Sequence, residues 1–333
     1  MAFVWLEGFE AFGSSGDPVG MDSVYTIQNI TNYSMVSGRL GGTAIEVDSA
    51  GSARAFRTPN IVSGNTVTLG FAFYNGGANA TRDLVNLYDA TGTLSVNLRL
   101  LSTNEFEVRR GTVQLGTTTG QAWTGAWHYV ELSVVCGNSP SGSYELRIDG
   151  VNVLSGSGID TQASSSGIHA SVEWCAACPG GRFDDVYIRD DGTFGGDFKV
   201  VTLFPDAAGD SSDFTPSAGS NYQCVDESGH DGDGSYVESG TSGHKDLYGF
   251  PAPSDLDTIS AVMHRVICRK TDVTNMGIKL IAKVDGNEHV EAAQPVSSVD
   301  YLLKYKIHEV SPETEVAWTD SEIGASQFGY EVE

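Results

Sequence analysis

Apolar and polar residues alternate with period two along most of this chain, a pattern that predicts strands rather than helices. In WHYVELSVVC (127 to 136), Trp127, Tyr129, Glu131 and Ser133 share one face, and His128, Val130, Leu132 and Val134 share the other, which is expected to be the buried one. Residues 66 to 75, 83 to 90, 94 to 102 and 105 to 111 carry similar β-branched or aromatic runs, most of them bounded by Gly, Asn, Asp or Ser. In YELRIDGVNVL (144 to 154), two alternating runs flank Asp149-Gly150, a strong hairpin turn signal. RFDDVYIRDDG (182 to 192) spaces Phe183, Val186 and Ile188 as a buried strand among four aspartates. Asp184 and Asp185 are adjacent, so strand geometry sends them to opposite faces.

The polar, glycine-rich stretch 190 to 197 breaks the pattern and sets a domain boundary, giving 1 to 192 and 193 to 333. Strands are expected to resume at 198 to 204, 259 to 270, 276 to 286, 288 to 296, 301 to 310 and 328 to 333. Ile278, Leu280, Ala282 and Val284 face one way, as do Tyr301, Leu303, Tyr305 and Ile307. The one helical turn predicted lies at 319 to 326, where Thr319 and Glu322 have capping-box spacing. The chain therefore reads as all-β, with two antiparallel domains, the second the smaller.

Charge narrows the partners. The 333 residues carry 19 Lys plus Arg against 43 Asp plus Glu, a net charge of −24 that disfavours nucleic acid. Forty glycines suit a chain of short strands and tight turns. The first twelve residues lack the basic flank and small-residue site of a secretory signal, and no apolar run is long enough for a membrane helix. With that reading, the five cysteines are expected to stay reduced.

Catalytic constellations are sparse. Glycoside hydrolysis needs two carboxylates about 5 to 9.5 Å apart. The Glu-x-Asp-x-Glu strand of jelly-roll glucanases is missing, and EFEVRR offers only Glu105 and Glu107. There is no Gly-x-Ser-x-Gly elbow, and the seven histidines, expected mostly on surfaces or strand faces, have no recognisable partner. The single Cys-x-x-Cys at 175 to 178 lacks the second pair of a zinc ribbon and the helix of a redox motif. DESGHDGDGSYVE (226 to 238) fails the EF-hand pattern, since the required glycine falls on Tyr236 and the terminal glutamate on Ser242. Hard oxygen ligands remain plentiful, and the best cluster for an irregular calcium site is Asp184, Asp185, Asp190 and Asp191. Against it stands the plainer reading of acidic residues that cap strands and keep loops solvated.

WHYVELSVV, GSYELRIDGVNVL and FDDVYIRD, in that order, resemble the concanavalin A-like, or laminin G-like, jelly-roll superfamily over roughly residues 1 to 192. The resemblance implies a sandwich of two curved antiparallel sheets, with FDDVYIRD as a closing strand beside the N-terminal one. It places Asp184 or Asp185 at a sheet rim, structural first and a cation ligand second. Over nearly the whole chain, EGFE, FDDVYIRDDG, GDFKVVTLFPDAAG, FTPSAGSNYQCVDE and AWTDSEIGASQFGYEV resemble tailed-bacteriophage virion structural proteins.

That second resemblance implies a non-enzymatic virion component, assembled in the host cytoplasm, oligomeric in the particle and displayed on its tail or capsid surface. The jelly roll would contact host-surface glycans, with Trp123 and Trp174 as stacking candidates. The small β domain would dock to other virion proteins. Its candidate anchors are Phe214, Tyr222, Tyr236, Tyr248 and Phe250, because aromatic residues are enriched in interface cores. About half of these would instead cover the domain's own core. No cofactor is required, and calcium is the one candidate ion. Two other classes stay open: a free carbohydrate-binding module, and a polysaccharide-degrading jelly-roll enzyme using Glu105 and Glu107.

Overall fold

The computed structural model describes residues 3–28, 32–48, 55–77, 81–119, 124–175, 180–254, 256, 258–272 and 276–333. It divides into two compact units, Met1–Val200 and Val201–Glu333. The first unit holds, among the described residues, two antiparallel sheets of eight and seven strands. In the eight-stranded sheet the order is Val151–Ile159, Gly142–Ile148, Trp127–Val135, Thr66–Tyr74, Arg182–Arg189, Thr43–Val47 and Tyr33–Ser37. Phe3–Glu7 also pairs with Arg182–Arg189, as expected for the closing strand. In the seven-stranded sheet the order is Val113–Thr117, Phe106–Arg110, Leu94–Leu100, Arg82–Asp89, His169–Cys175, Ala55–Arg57 and Thr26–Gln28.

An aromatic core joins the sheets. Phe56 stacks on Trp174 at 5.4 Å and meets Tyr33 and Phe183 of the opposite sheet edge-on at 6.0 and 6.2 Å. Such pairs add about 0.5–1.5 kcal/mol each beyond the area they bury. The hairpin turn at Asp149-Gly150 forms as its sequence demands, with φ of 50° and 77°.

The eight-stranded sheet is covered on its second face as well. Residues 193–200 lie across Tyr129, Glu131 and Tyr187: Gly195 N–H donates to the Tyr187 hydroxyl and Gly196 N–H to Glu131 Oε1, each at 2.8 Å. The Phe198 ring packs on Tyr187 at 5.2 Å and on Phe3 at 5.6 Å. Both faces of WHYVELSVV are thus buried at their centre, not the His128 face alone, and His128 itself is half-buried beside Asp149. The expected strand at 198–204 does not form, because side chains take its backbone groups. Val200 N–H donates to Asp185 and the Phe198 carbonyl accepts from Arg39. For the same reason the first unit runs on to Val200 instead of ending at 192.

The second unit has, among the described residues, a six-stranded antiparallel sheet ordered Ala207–Ser212, Lys245–Gly249, Gln327–Val332, Met276–Val284 and Asn287–Val290. Gln294–Val296 completes it against Met276–Val284. Leu280, Tyr248 and Tyr330 form one apolar cluster, and Ala282, Val284, Trp318, Ile323 and Phe328 another. The buried Asp246 carboxylate accepts from Phe214 N–H, Asn221 Nδ2 and the Tyr248 hydroxyl, which ties the loop at 214–224 to the sheet. The helix Asp320–Ala325 starts where predicted, with Thr319 Oγ1 accepting from Glu322 N–H. Three histidines lie on strands and are buried there, and desolvation holds His169 at about 4, His264 at about 3 and His308 at about 4.

Gly70 sits opposite Tyr187 in the eight-stranded sheet, and a Cβ there would run into the Tyr187 ring. Gly70→Ala is therefore expected to cost about 1–3 kcal/mol of stability, seen as a lowered denaturant midpoint. An unchanged midpoint would mean that the ring does not lie over the glycine.

Candidate functional site

The aspartates of RFDDVYIRDDG come first. Asp185 has φ of 51°, and the pairing with Thr66–Tyr74 slips between Asp184 and Tyr187. This bulge breaks the alternation, so the neighbours converge instead of facing opposite ways. Asp184 Oδ2 accepts from Arg39 N–H at 2.8 Å, and Asp185 Oδ2 accepts from Arg39 Nε at 3.0 Å. Arg39 also holds Asp197 Oδ1 at 2.5 Å and the Phe198 carbonyl at 2.6 Å. The pair and its arginine therefore latch residues 193–200 onto the sheet. Burial, then the charge of Asp185, pushes the Asp184 carboxyl up to about 8, and burial raises Asp185 as well.

The other two aspartates of the proposed calcium cluster lie apart in function. Asp191 takes a two-pronged bond from Arg189 at 3.1 and 2.8 Å, and Asp190 is half-buried. Among the described residues, no group of three or more His, Cys, Asp or Glu side chains is placed to hold a metal. Trp174 is a core residue at 0% exposure and cannot stack on a sugar, while Trp123 lies outside the described residues. Tyr248 is buried in the second unit, and Phe214, Tyr222 and Phe250 pack on that unit's clusters. Tyr236, 36% exposed, is the one proposed anchor that stands out from the surface. The Cys-x-x-Cys at 175 to 178 falls outside the described side chains.

A polar assembly that the sequence did not single out covers the seven-stranded sheet. Val85, Leu87, Val96, Leu98, Phe106, Val108, Val172 and Trp174 point into the sandwich, and the residues alternating with them point out. Strand register lines up Gln114, Arg109, Asn97, Asn86, Glu173, Arg57 and Thr26 in one row across all seven strands. At about 4.8 Å between strands the row runs about 29 Å. A second row sets Thr117, Glu107, Arg99 and Asp83 side by side.

These side chains bond chiefly to one another. Arg99 Nε lies 3.0 Å from Asp83 Oδ1 and its Nη1 donates to Glu107 Oε2 at 3.3 Å. Arg109 Nη1 is 3.6 Å from the same Glu107 oxygen, and Asn97 Nδ2 donates to Asp83 Oδ1 at 2.9 Å. Glu173 Oε1 accepts from Asn86 Nδ2 at 2.9 Å and from the Tyr88 hydroxyl at 3.1 Å. The Arg57 guanidinium lies 3.8 Å over the Tyr88 ring, and its Nε donates to Ser171 Oγ at 2.7 Å. Asn86, Asn97, Glu107 and Glu173 are 3 to 8% exposed although they face away from the core. Asn97 Oδ1 and Arg109 Nε have no hydrogen-bond partner in the protein.

Chemically, this is a rigid, desolvated face rich in paired donors and acceptors, suited to holding hydroxyls. Glu107 belongs to it, whereas Glu105 sits outside the strand and accepts from Thr103. The local signal was the alternation itself: Asn86, Asn97, Arg99, Glu107 and Arg109 each take an outward position with no lysine among them, whereas Asp83 has the parity of Val85 and joins the face only through the register shift between the two. What could not be read was that residues 169 to 175 pair between 82 to 89 and 55 to 57.

No family model and no curated protein matches the chain. Among solved structures it is similar to the endo-β-1,4-glucuronan lyase of the fungus Trichoderma reesei, at 16% identity and TM-score 0.39, over 53% of this chain and 94% of that one. It is also similar to a PL-14 alginate lyase from Aplysia kurodai, at 11% identity and TM-score 0.41, over 56% and 98%. The binding domain of Paraclostridial Mosquitocidal Protein 1 matches at 14% identity and TM-score 0.42, over 58% and 50%.

The latch makes a pH prediction. The folded chain keeps the Asp184 proton to about 8, whereas the unfolded chain releases it near the ordinary 3.8. Between these values the folded state binds more protons, so the contribution is full below 3.8 and is lost as pH rises through 8. Urea midpoints are expected to fall from about pH 5 to about pH 9, and Asp184→Asn to flatten that slope whatever its absolute stability. Equal slopes in the two proteins would exclude the pair as the source.

Proposed function

We propose that this protein is a non-enzymatic structural component of a phage particle surface that contacts glycans through the outer face of its seven-stranded sheet. The observation that carries the glycan contact is the unbroken row of polar side chains across all seven strands, from Gln114 to Thr26. A saccharide presents hydroxyls that both donate and accept, and a face of amides, arginines and carboxylates offers both roles at close spacing. Arg57 on the Tyr88 ring adds a flat, pre-organised edge.

A binding role without turnover is supported by what the carboxylates do. Asp83, Glu107 and Glu173 are each engaged by an arginine, an amide or a hydroxyl that also holds the face together. The placement on a virion rests on the motifs of the sequence, from EGFE to AWTDSEIGASQFGYEV.

Immobilised polysaccharides are expected to retain the full chain, and Arg57→Ala to weaken retention about tenfold, since it removes both a charge-assisted bond and the guanidinium cover of Tyr88. No shortened or unsaturated products should accumulate. Equal binding by Arg57→Ala would move the contact off this face, and product release would make the protein an enzyme. Immunogold labelling of purified particles reads the placement, with unlabelled particles removing the virion half of the proposal.

A further inference from the structure

Resting on the glycan reading above, we infer that the saccharide taken by this face is an uncharged polysaccharide, bound along an internal stretch of its chain. Charge balance is the first ground. The face carries Arg57, Arg99 and Arg109 against Asp83, Glu107 and Glu173, and the two inner arginines are already paired with carboxylates. A uronate polymer would meet a face with no net positive charge, where Arg57 alone is held by a hydroxyl and a ring instead of a carboxylate, and would approach a chain of net charge −24.

The second ground is two neighbouring atoms among the buried ones on this face that lack a hydrogen-bond partner. Asn97 Oδ1 is an acceptor and Arg109 Nε is a donor, and the two residues are direct cross-strand neighbours. The amide orientation is fixed by Asp83, which takes the Asn97 Nδ2 hydrogen. A hydroxyl suits either atom, since it can donate to Oδ1 and can accept from Nε. A carboxylate only accepts, so it would set its charge against Oδ1. Both atoms are shut off from solvent in the free protein, so a hydroxyl reaches them only once the partly exposed Arg109 guanidinium leaves Glu107 and the Thr112 carbonyl. The third ground is geometry: a row of about 29 Å that crosses every strand fits an extended internal segment better than a single terminal sugar.

Affinity electrophoresis of the full chain tests this, with β-glucan, xylan and galactomannan as uncharged polymers and alginate and polyglucuronate as charged ones. Retardation by at least one uncharged polymer, insensitive to salt and growing with oligosaccharide length, is the expected result. Asn97→Ala should weaken it about tenfold, with melting used to confirm folding. Glu107→Gln, which frees Arg109 and leaves the face one positive charge in excess, should gain salt-sensitive retardation by alginate. Wild-type binding of the uronate polymers in preference to the neutral ones would overturn the inference while sustaining the glycan reading. Retardation by none of the five polymers would overturn both.

Discussion

Everything on the outer face of the seven-stranded sheet depends on one constraint: its polar groups are largely out of water, so most are held by a neighbour, with Asn97 Oδ1 and Arg109 Nε among the exceptions. A buried donor or acceptor without a partner costs about 1–3 kcal/mol, more when charged. Asn97 cannot turn without releasing Asp83, and Asp83 cannot move without releasing Arg99. Arg99 in turn shares Glu107 with Arg109. The result is a network whose members fix one another, and low dielectric strengthens the bonds that it makes. Apart from Arg109, whose side chain a ligand would have to displace, little conformational freedom is left to lose on binding.

The same physics governs the opposite side of the sandwich with a different outcome. There the desolvated groups Asp184, Asp185 and Glu131 are satisfied by the chain's own residues 193–200 and by Arg39, and the Tyr129 hydroxyl donates to the Asp185 carbonyl. Tyr187 and the Phe198 ring complete the cover. One outer face is closed by a strap from the same unit, and the other is closed by its own side chains. The first face takes its partners largely from backbone groups, the second from side chains.

Much of the fold was legible in the sequence, and for local reasons. Period-two alternation placed the strands at 66 to 75, 127 to 136 and 276 to 286, and Asp149-Gly150 placed a hairpin, because each signal lies within a few residues. The Thr319 and Glu322 pair likewise located the short helix. Failures came where a long-range partner overrode a local pattern. Residues 198 to 204 look like a strand until Asp185 and Arg39 claim their backbone groups. Trp174 looks like an exposed stacking residue until Phe56, more than a hundred positions earlier, lies flat against it.

The candidate site was less legible because its meaning lies in register, not in any motif. Glu107 was noticed for its neighbour Glu105, yet its structural partners are Arg99 and Arg109. The bulge at Asp185 shows the converse, in which a motif is conspicuous for the wrong chemistry. Four aspartates around a strand suggest a cation site. A left-handed turn at one of them gathers two on an arginine, and the arginine's guanidinium already supplies the positive charge that a metal would have brought. Acidic density in a sequence thus says little about cation binding until the nearest basic side chain is known, and here that side chain lies 145 positions away from Asp184.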